Sequence, residues 1–250
     1  MARPKRVVVG VTGASGALYA QRVVRALVES GAQVHLVVSV LGQRLLHDEL
    51  GMERIDPEAL AGGPSAARSI VLHNVRDVGA PIASGSFPCD GMVIVPCSSN
   101  TLSAVAHSVQ QNLVHRAAAV TLKERRRLVL VHRETPLSLA DIRNMEQVTL
   151  AGAIVCPANP GFYLLPQRVE ELVDFIAARV LDLLGIDHDL CPRLPAVESK
   201  HSLAQDCVAG PLHTGAQEWC APRAPHLLQH RAPRHRLRGA THARGGPSPG

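Results

Sequence analysis

Short apolar runs alternate along most of this chain with longer segments whose apolar positions recur at helical spacing. The alternation predicts a strand over Val7–Val11, a helix over Ala17–Glu29, a strand over Val34–Val38 and a helix over Val40–Glu49. A polar stretch punctuated by Gly and Pro follows from Gly51 to Ala83, with one apolar segment at Ile70–Leu72. The regular pattern then resumes: a strand over Met92–Pro96, helices across Thr101–Arg126, a strand over Leu128–Val131, a helix over Ser138–Leu150, a strand over Ala153–Cys156 and a helix over Gln167–Leu184. Strands that read as continuous Val/Ile/Leu runs are buried on both faces. Joined by helices, such strands make a doubly wound α/β sheet, mostly parallel, with helices on both faces.

In a sheet of this Rossmann- or flavodoxin-like kind, ligands bind beyond the carboxyl ends of the strands, so the loops after each strand carry the chemistry. The first is the most informative. Val7-Val8-Val9-Gly10-Val11-Thr12-Gly13-Ala14-Ser15-Gly16-Ala17 runs from a β-branched strand through a glycine turn with hydroxyls into a helix start, whose unpaired N–H groups and positive dipole end suit an anion. The spacing Gly10-x-x-Gly13-x-x-Gly16 is not the dinucleotide fingerprint, and no acidic residue closes the second strand to hold a ribose. The loop therefore predicts a phosphate, in a mononucleotide rather than NAD; a turn that only packs helix on sheet is the alternative. Three further loops share the edge: Pro96-Cys97-Ser98-Ser99-Asn100-Thr101, Arg133-Glu134-Thr135-Pro136-Leu137 and Asn159-Pro160-Gly161-Phe162-Tyr163. Each alone reads as a helix cap, a solvated ion pair or a core ring. Their common position points to one site.

The net charge of +5 suggests nucleic acid until its distribution is read. Residues 221–250 hold six arginines and no acid; without them 20 basic residues face 21 acidic ones, a net of −1. The segment from about 195 to 250 is basic, rich in His and Pro and nearly free of aromatic residues, so it is expected to be a disordered tail after a single domain of residues 1–194. No nucleic-acid partner is expected, since Trp219 is the tail's only stacking ring. No run has the length of a membrane span, and the N-terminus enters the first strand without a signal-like segment, so a cytoplasmic protein with no membrane association is expected. Six cysteines without metal-ligand spacing predict free thiols and no metal.

Taken together, Gly10–Ala17, Ser84-Gly85-Ser86-Phe87, Pro96-Cys97-Ser98 with Thr101-Leu102, Asn112-Leu113 with Arg116-Ala117-Ala118, Leu122-Lys123-Glu124-Arg125-Arg126, Arg133–Leu137 and Pro160-Gly161-Phe162-Tyr163 with Pro166-Gln167 resemble the UbiX-type flavin prenyltransferases, over about residues 5–193. The resemblance implies an enzyme that takes FMN and dimethylallyl monophosphate, uses no metal, closes a fourth ring on the flavin and supplies the prenylated FMN to UbiD-type decarboxylases. It implies a homo-oligomer, a dodecamer, with sites completed across subunits. It assigns Gly13, Ala14, Ser15, Ser39, Ser98, Ser99, Asn100, Thr101 and Arg133 to FMN. Ser84, Arg116, Lys123, Tyr163 and Arg179 fall to the prenyl phosphate, with Ser15, Glu134 and Lys123 as the catalytic set.

The residue types suit that chemistry. Breaking an allylic carbon–oxygen bond builds negative charge on the departing phosphate, which fixed cations stabilise, and ring closure releases a proton that Glu134 with Ser15 can relay. Lys123 is one of only three lysines, with Lys5 and Lys200, in an arginine-rich chain. Four features depart from the family pattern: Pro192-Arg193-Leu194 stands where a tryptophan often follows Pro-Arg, Ala106-His107-Ser108 with Gln110-Gln111 stands where relatives commonly have a glycine among small residues, Ala119-Val120-Thr121 lacks the Asp that usually follows the paired alanines, and the tail has no counterpart. Two other functions compete. A cysteine-type decarboxylase of the same fold needs a histidine in the helix after the first strand, where this chain has Tyr19 and Gln21; a non-catalytic flavin carrier would not need Lys123, Glu134, Tyr163 and Arg179.

Overall fold

In the computed structural model, which describes residues 3–190, six strands join one all-parallel sheet in the order β3-β2-β1-β4-β5-β6, and the apolar runs of the four central strands are buried on both faces. The strands are β1 Arg6–Val11, β2 Gln33–Val38, β3 Ile70–His73, β4 Gly91–Cys97, β5 Arg127–His132 and β6 Ile154–Val155. The helices are α1 Ala17–Glu29, α2 Val40–Leu50, α3 Pro57–Ala61, α4 Pro64–Ala67, α5 Ser99–Ala106, α6 Leu113–Lys123, α7 Leu139–Leu150 and α8 Val169–Leu184. Alternate residues of β1 feed two cores. Val7, Val9 and Val11 pack with Val23 and Leu27 of α1 and Ile176 and Val180 of α8. Val8 packs on the other face with Leu102 of α5, Leu113 and Val114 of α6 and Val148 of α7.

The stretch 51–83 is more ordered than its polarity predicts. Pro57 and Pro64 open two short helices whose ends are turned by Gly62 and Arg68, and Ile70–His73 adds the edge strand beside β2. Asn112, whose side chain accepts from His115 N at 3.0 Å, starts α6, the second of the two helices in the stretch Thr101–Arg126 where helices are expected. Of the six cysteines, Cys89, Cys97 and Cys156 are described, and they are free; burial pushes the Cys97 thiol up to about 12. The expected tail and the Leu194 departure lie outside the described residues. No described helix is long and apolar enough to cross a membrane.

One polar cluster lies inside this frame. His35 Nδ1 is 3.0 Å from His73 Nε2, its ring meets Phe87 edge-on at 4.8 Å, and Arg6 lies over Phe87. Burial, with His73 and Arg6 beside it, lowers the His35 pKa to about 4. The folded protein thus excludes a proton that the unfolded chain binds below about pH 6.5, so stability is full above that pH and falls as the pH drops towards 4. Solvent screening leaves this one group about 2 kcal/mol of acid sensitivity. His35→Gln is therefore expected to show a smaller loss of Tm than wild type between about pH 7 and about pH 4.5; an equal loss would place the sensitivity elsewhere.

Candidate active site

Order 3-2-1-4-5-6 reverses direction between β1 and β4, and the crevice at the carboxyl ends of these two strands is where such a sheet receives ligands. Pro96 interrupts the β4–β5 ladder with a register shift, as a proline in a central strand must. Its carbonyl, turned out of the ladder, accepts from Thr12 N at 3.2 Å and Thr12 Oγ1 at 2.8 Å, while Thr12 Oγ1 accepts from Ser98 N at 2.9 Å. Thr12, wholly buried, therefore joins the loop after β1 to the loop after β4. Nothing in the sequence around Thr12 signals this role, because its partners are more than eighty residues away.

Around this junction the loops close in. Ser39 caps α2, accepting from Gly42 N at 2.9 Å. A Cβ at Gly42 would collide with the Val11 carbonyl and one at Gly13 with Leu41, so the first turn of α2 lies directly on the β1 loop. Gly13 and Ser15 are exposed and Ala14 is buried. The start of α1, which the sequence reading reserves for a phosphate, already holds an anion: Glu49 accepts from Ala17 N at 2.7 Å and from Gly16 N at 3.0 Å. The cause is tertiary. The last turn of α2 supplies a carboxylate to the positive end of α1.

The α5 loop divides its side chains. Ser98 caps the helix, and Thr101 is buried against it, 3.2 Å from Ser98 Oγ to Thr101 Oγ1. Ser99 also turns inward, its Oγ 3.1 Å from His132 Nε2, whereas Asn100 is exposed. What α5 offers the crevice is Asn100 and the unpaired N–H groups that begin any helix. Arg133, anchored through its N–H to the Cys97 carbonyl, has a buried Nε with no hydrogen-bond partner among the described residues. A buried guanidinium N–H left unpaired is costly, and a bound anion or carbonyl would satisfy it. Glu134 beside it is exposed and accepts from Thr135 N at 3.1 Å.

Two of the residues assigned to the prenyl phosphate fall elsewhere. Ser84 precedes β4, and Lys123 ends α6 just before β5, so both lie at the amino-terminal edge of the sheet, opposite the crevice. They are neighbours there. Arg126 Nη2 donates to the Gly85 carbonyl at 2.6 Å, and a Cβ on Gly85 would stand 3.4 Å from Lys123 Nζ. Arg116 lies two turns before Lys123 on the same face of α6 and contacts Gln110. On the other face of the sheet, Tyr163 meets Phe175 of α8 edge-on at 5.9 Å, and Arg179, one turn further along α8, pairs with Asp182 at 3.2 Å. The structure thus gathers Ser15, Ser39, Asn100, Arg133 and Glu134 at one edge and does not bring Ser84 and Lys123 to them within one chain.

The rim of the crevice is apolar and uncovered: Val40, Leu41, Leu139, Phe162 and Leu165 are each more than 60% exposed. Among the described residues no group of three or more His, Cys, Asp or Glu could hold a metal ion.

A family model described as Flavoprotein matches residues 1–181. The flavin prenyltransferase UbiX of Thermoplasma acidophilum is 45% identical over 190 residues, 75% of this chain and 99% of that protein. Its counterpart from Pseudomonas aeruginosa is 44% identical over 199 residues, 77% of this chain and 95% of that one. Among solved structures, AnUbiX in complex with FMN and dimethylallyl pyrophosphate superposes with a TM-score of 0.68 at 41% identity, covering 77% of this chain and 98% of that chain. A dodecameric FMN-dependent UbiX-like decarboxylase from Escherichia coli O157:H7 does so with a TM-score of 0.68 at 37% identity, covering 76% and 98%.

Proposed function

The chain belongs to the flavoprotein family, in the branch of the UbiX flavin prenyltransferases, and from that premise we propose that it joins a dimethylallyl group to reduced FMN. The observation that carries the reading is the unpaired, buried Nε of Arg133, next to Glu134 in a crevice whose walls Thr12 ties together. A flavin mononucleotide fits this donor set: Arg133 and the first-turn amides of α5 hold anionic and carbonyl oxygens, and Ser39 and Ser15 add hydroxyls. Reduced FMN supplies the nucleophilic ring nitrogen and the adjoining carbon.

The donor is an allylic phosphate. Lys123, Arg116 and Arg179 bind it and stabilise the charge that grows on the phosphate as the carbon–oxygen bond breaks, more in the transition state than before it. Glu134, with Ser15 as relay, takes the proton that the flavin carbon loses when the second bond closes the new ring. The donor is dimethylallyl monophosphate, a simpler relative of the dimethylallyl pyrophosphate held in AnUbiX, suited to a chain without an Asp-rich diphosphate motif. The prenylated FMN is released to a UbiD-type decarboxylase.

Lys123 and Ser84 stand at the sheet edge opposite Glu134, so the complete site takes residues from more than one copy of the chain. The uncovered apolar rim and the dodecameric relative support that assembly. Incubating the protein anaerobically with reduced FMN and dimethylallyl monophosphate is expected to yield a flavin heavier by one dimethylallyl unit. Bound FMN of unchanged mass would instead fit a flavin carrier.

A further inference from the structure

The Arg133–Leu137 loop is tied at both ends to one carboxylate. At its far end Asp141, in the first turn of α7, accepts from Ser138 N at 2.9 Å and Ser138 Oγ at 2.6 Å. At its near end His132, the last residue of β5 and 97% buried, lies 3.1 Å through Nε2 from Ser99 Oγ, and the Ser99 hydroxyl in turn hydrogen-bonds the Asp141 carboxylate. Ser138 and Ser99 together hold the Asp141 carboxyl down at about 2, so it is an ionised acceptor at neutral pH. Serine has one proton to give. With Ser99 donating to Asp141, its oxygen accepts from His132, which assigns the hydrogen of that ring to Nε2.

A capping box between Ser138 and Asp141 already satisfies the start of α7, and Ser98 already caps α5. Neither cap requires Ser99 or a buried histidine. What the extra link does is fix the spacing between the amino end of α5, where the backbone meets the flavin, and the loop carrying Arg133 and Glu134.

We propose that His132, Ser99 and Asp141 form a bridge that positions Glu134 for ring closure, with His132 as a positioning residue and the Ser99 side chain as a link in the bridge rather than a flavin ligand. The proposal rests on the prenyltransferase reading. His132→Leu is expected to keep FMN binding and the donor KM within about threefold, because the donor cations lie elsewhere, while kcat for ring closure falls about 10- to 100-fold, as small misplacements of a reacting group do. His132→Gln, whose amide nitrogen reaches the place of Nε2, should recover most of that loss. A purely structural role would lower Tm and flavin binding together and would not separate Gln from Leu.

Ser99→Ala breaks the same bridge with little change of volume, and it serves if His132→Leu fails to fold. Two assays of the full-length protein decide the matter. In anaerobic single turnover, a wild-type rate in Ser99→Ala, or a loss confined to FMN affinity, overturns the bridge. In hydrogen exchange, which needs no turnover, Ser99→Ala should speed exchange about tenfold at the hydrogen-bonded amides that flank the loop, Arg133 and Ser138, while β4 and β5 keep their protection. Unchanged loop protection overturns the bridge even with an inactive wild type, whereas a wild type that leaves FMN unprenylated overturns the functional reading alone.

Discussion

Glu134→Gln is expected to bind FMN and the prenyl phosphate normally and to close the new ring about 100- to 10,000-fold more slowly, the usual range for a lost acid–base group. The amide is isosteric, and its oxygen can still accept from Thr135 N, the one hydrogen bond that holds the Glu134 side chain to its loop. The geometry is therefore preserved while proton acceptance is lost. Anaerobic single turnover with reduced FMN, followed by flavin absorbance and product mass, separates bond formation at nitrogen from ring closure. A wild-type rate of closure would remove Glu134 from the mechanism.

Lys123→Ala is expected to lower kcat/KM for the prenyl donor by about 100- to 1,000-fold with flavin affinity little changed, since an aimed cation is lost from the leaving group. The side chain is 67% exposed and its ammonium is paired only loosely, at 3.3 Å, with Glu124, so its removal leaves no buried partner stranded in the monomer. Its distance from Glu134 within one chain gives this variant a second reading. Refolding Lys123→Ala chains together with Glu134→Gln chains should restore activity to about a quarter of the sites, those that draw both residues from unmutated copies. No recovery would mean that each chain builds its own site.

The alternation of apolar runs and helical patterns was sufficient to place most strands and helices, because burial on two faces leaves a continuous Val/Ile signature that few other structures produce. α1 follows the expected span, Ala17–Glu29, without a shift. The pattern failed over 51–83, where α3, α4 and β3 are short and draw their stability from Pro and Gly at their ends and from one neighbouring strand rather than from an apolar face. It foresaw helices across Thr101–Arg126 without placing the break between α5 and α6, which falls over residues 107–112 and ends at the Asn112 cap.

The sequence by itself determined which chemistry is available: a glycine turn after the first strand, a Ser-Ser-Asn-Thr helix start, an Arg-Glu pair after the fifth strand and a scarce lysine. These are local properties, set by residue type and spacing. Only the tertiary structure decided how they are used, because hydrogen bonds across the sheet have no linear signature. Folding put Glu49 on the helix end that the glycine loop offers, drew Ser99 and Thr101 inward, left Arg133 Nε unpaired in the crevice, and set Lys123 at the opposite edge of the sheet. That last separation follows from parallel topology: a residue ending the helix before a strand must lie at the amino edge, and one following a strand at the carboxyl edge.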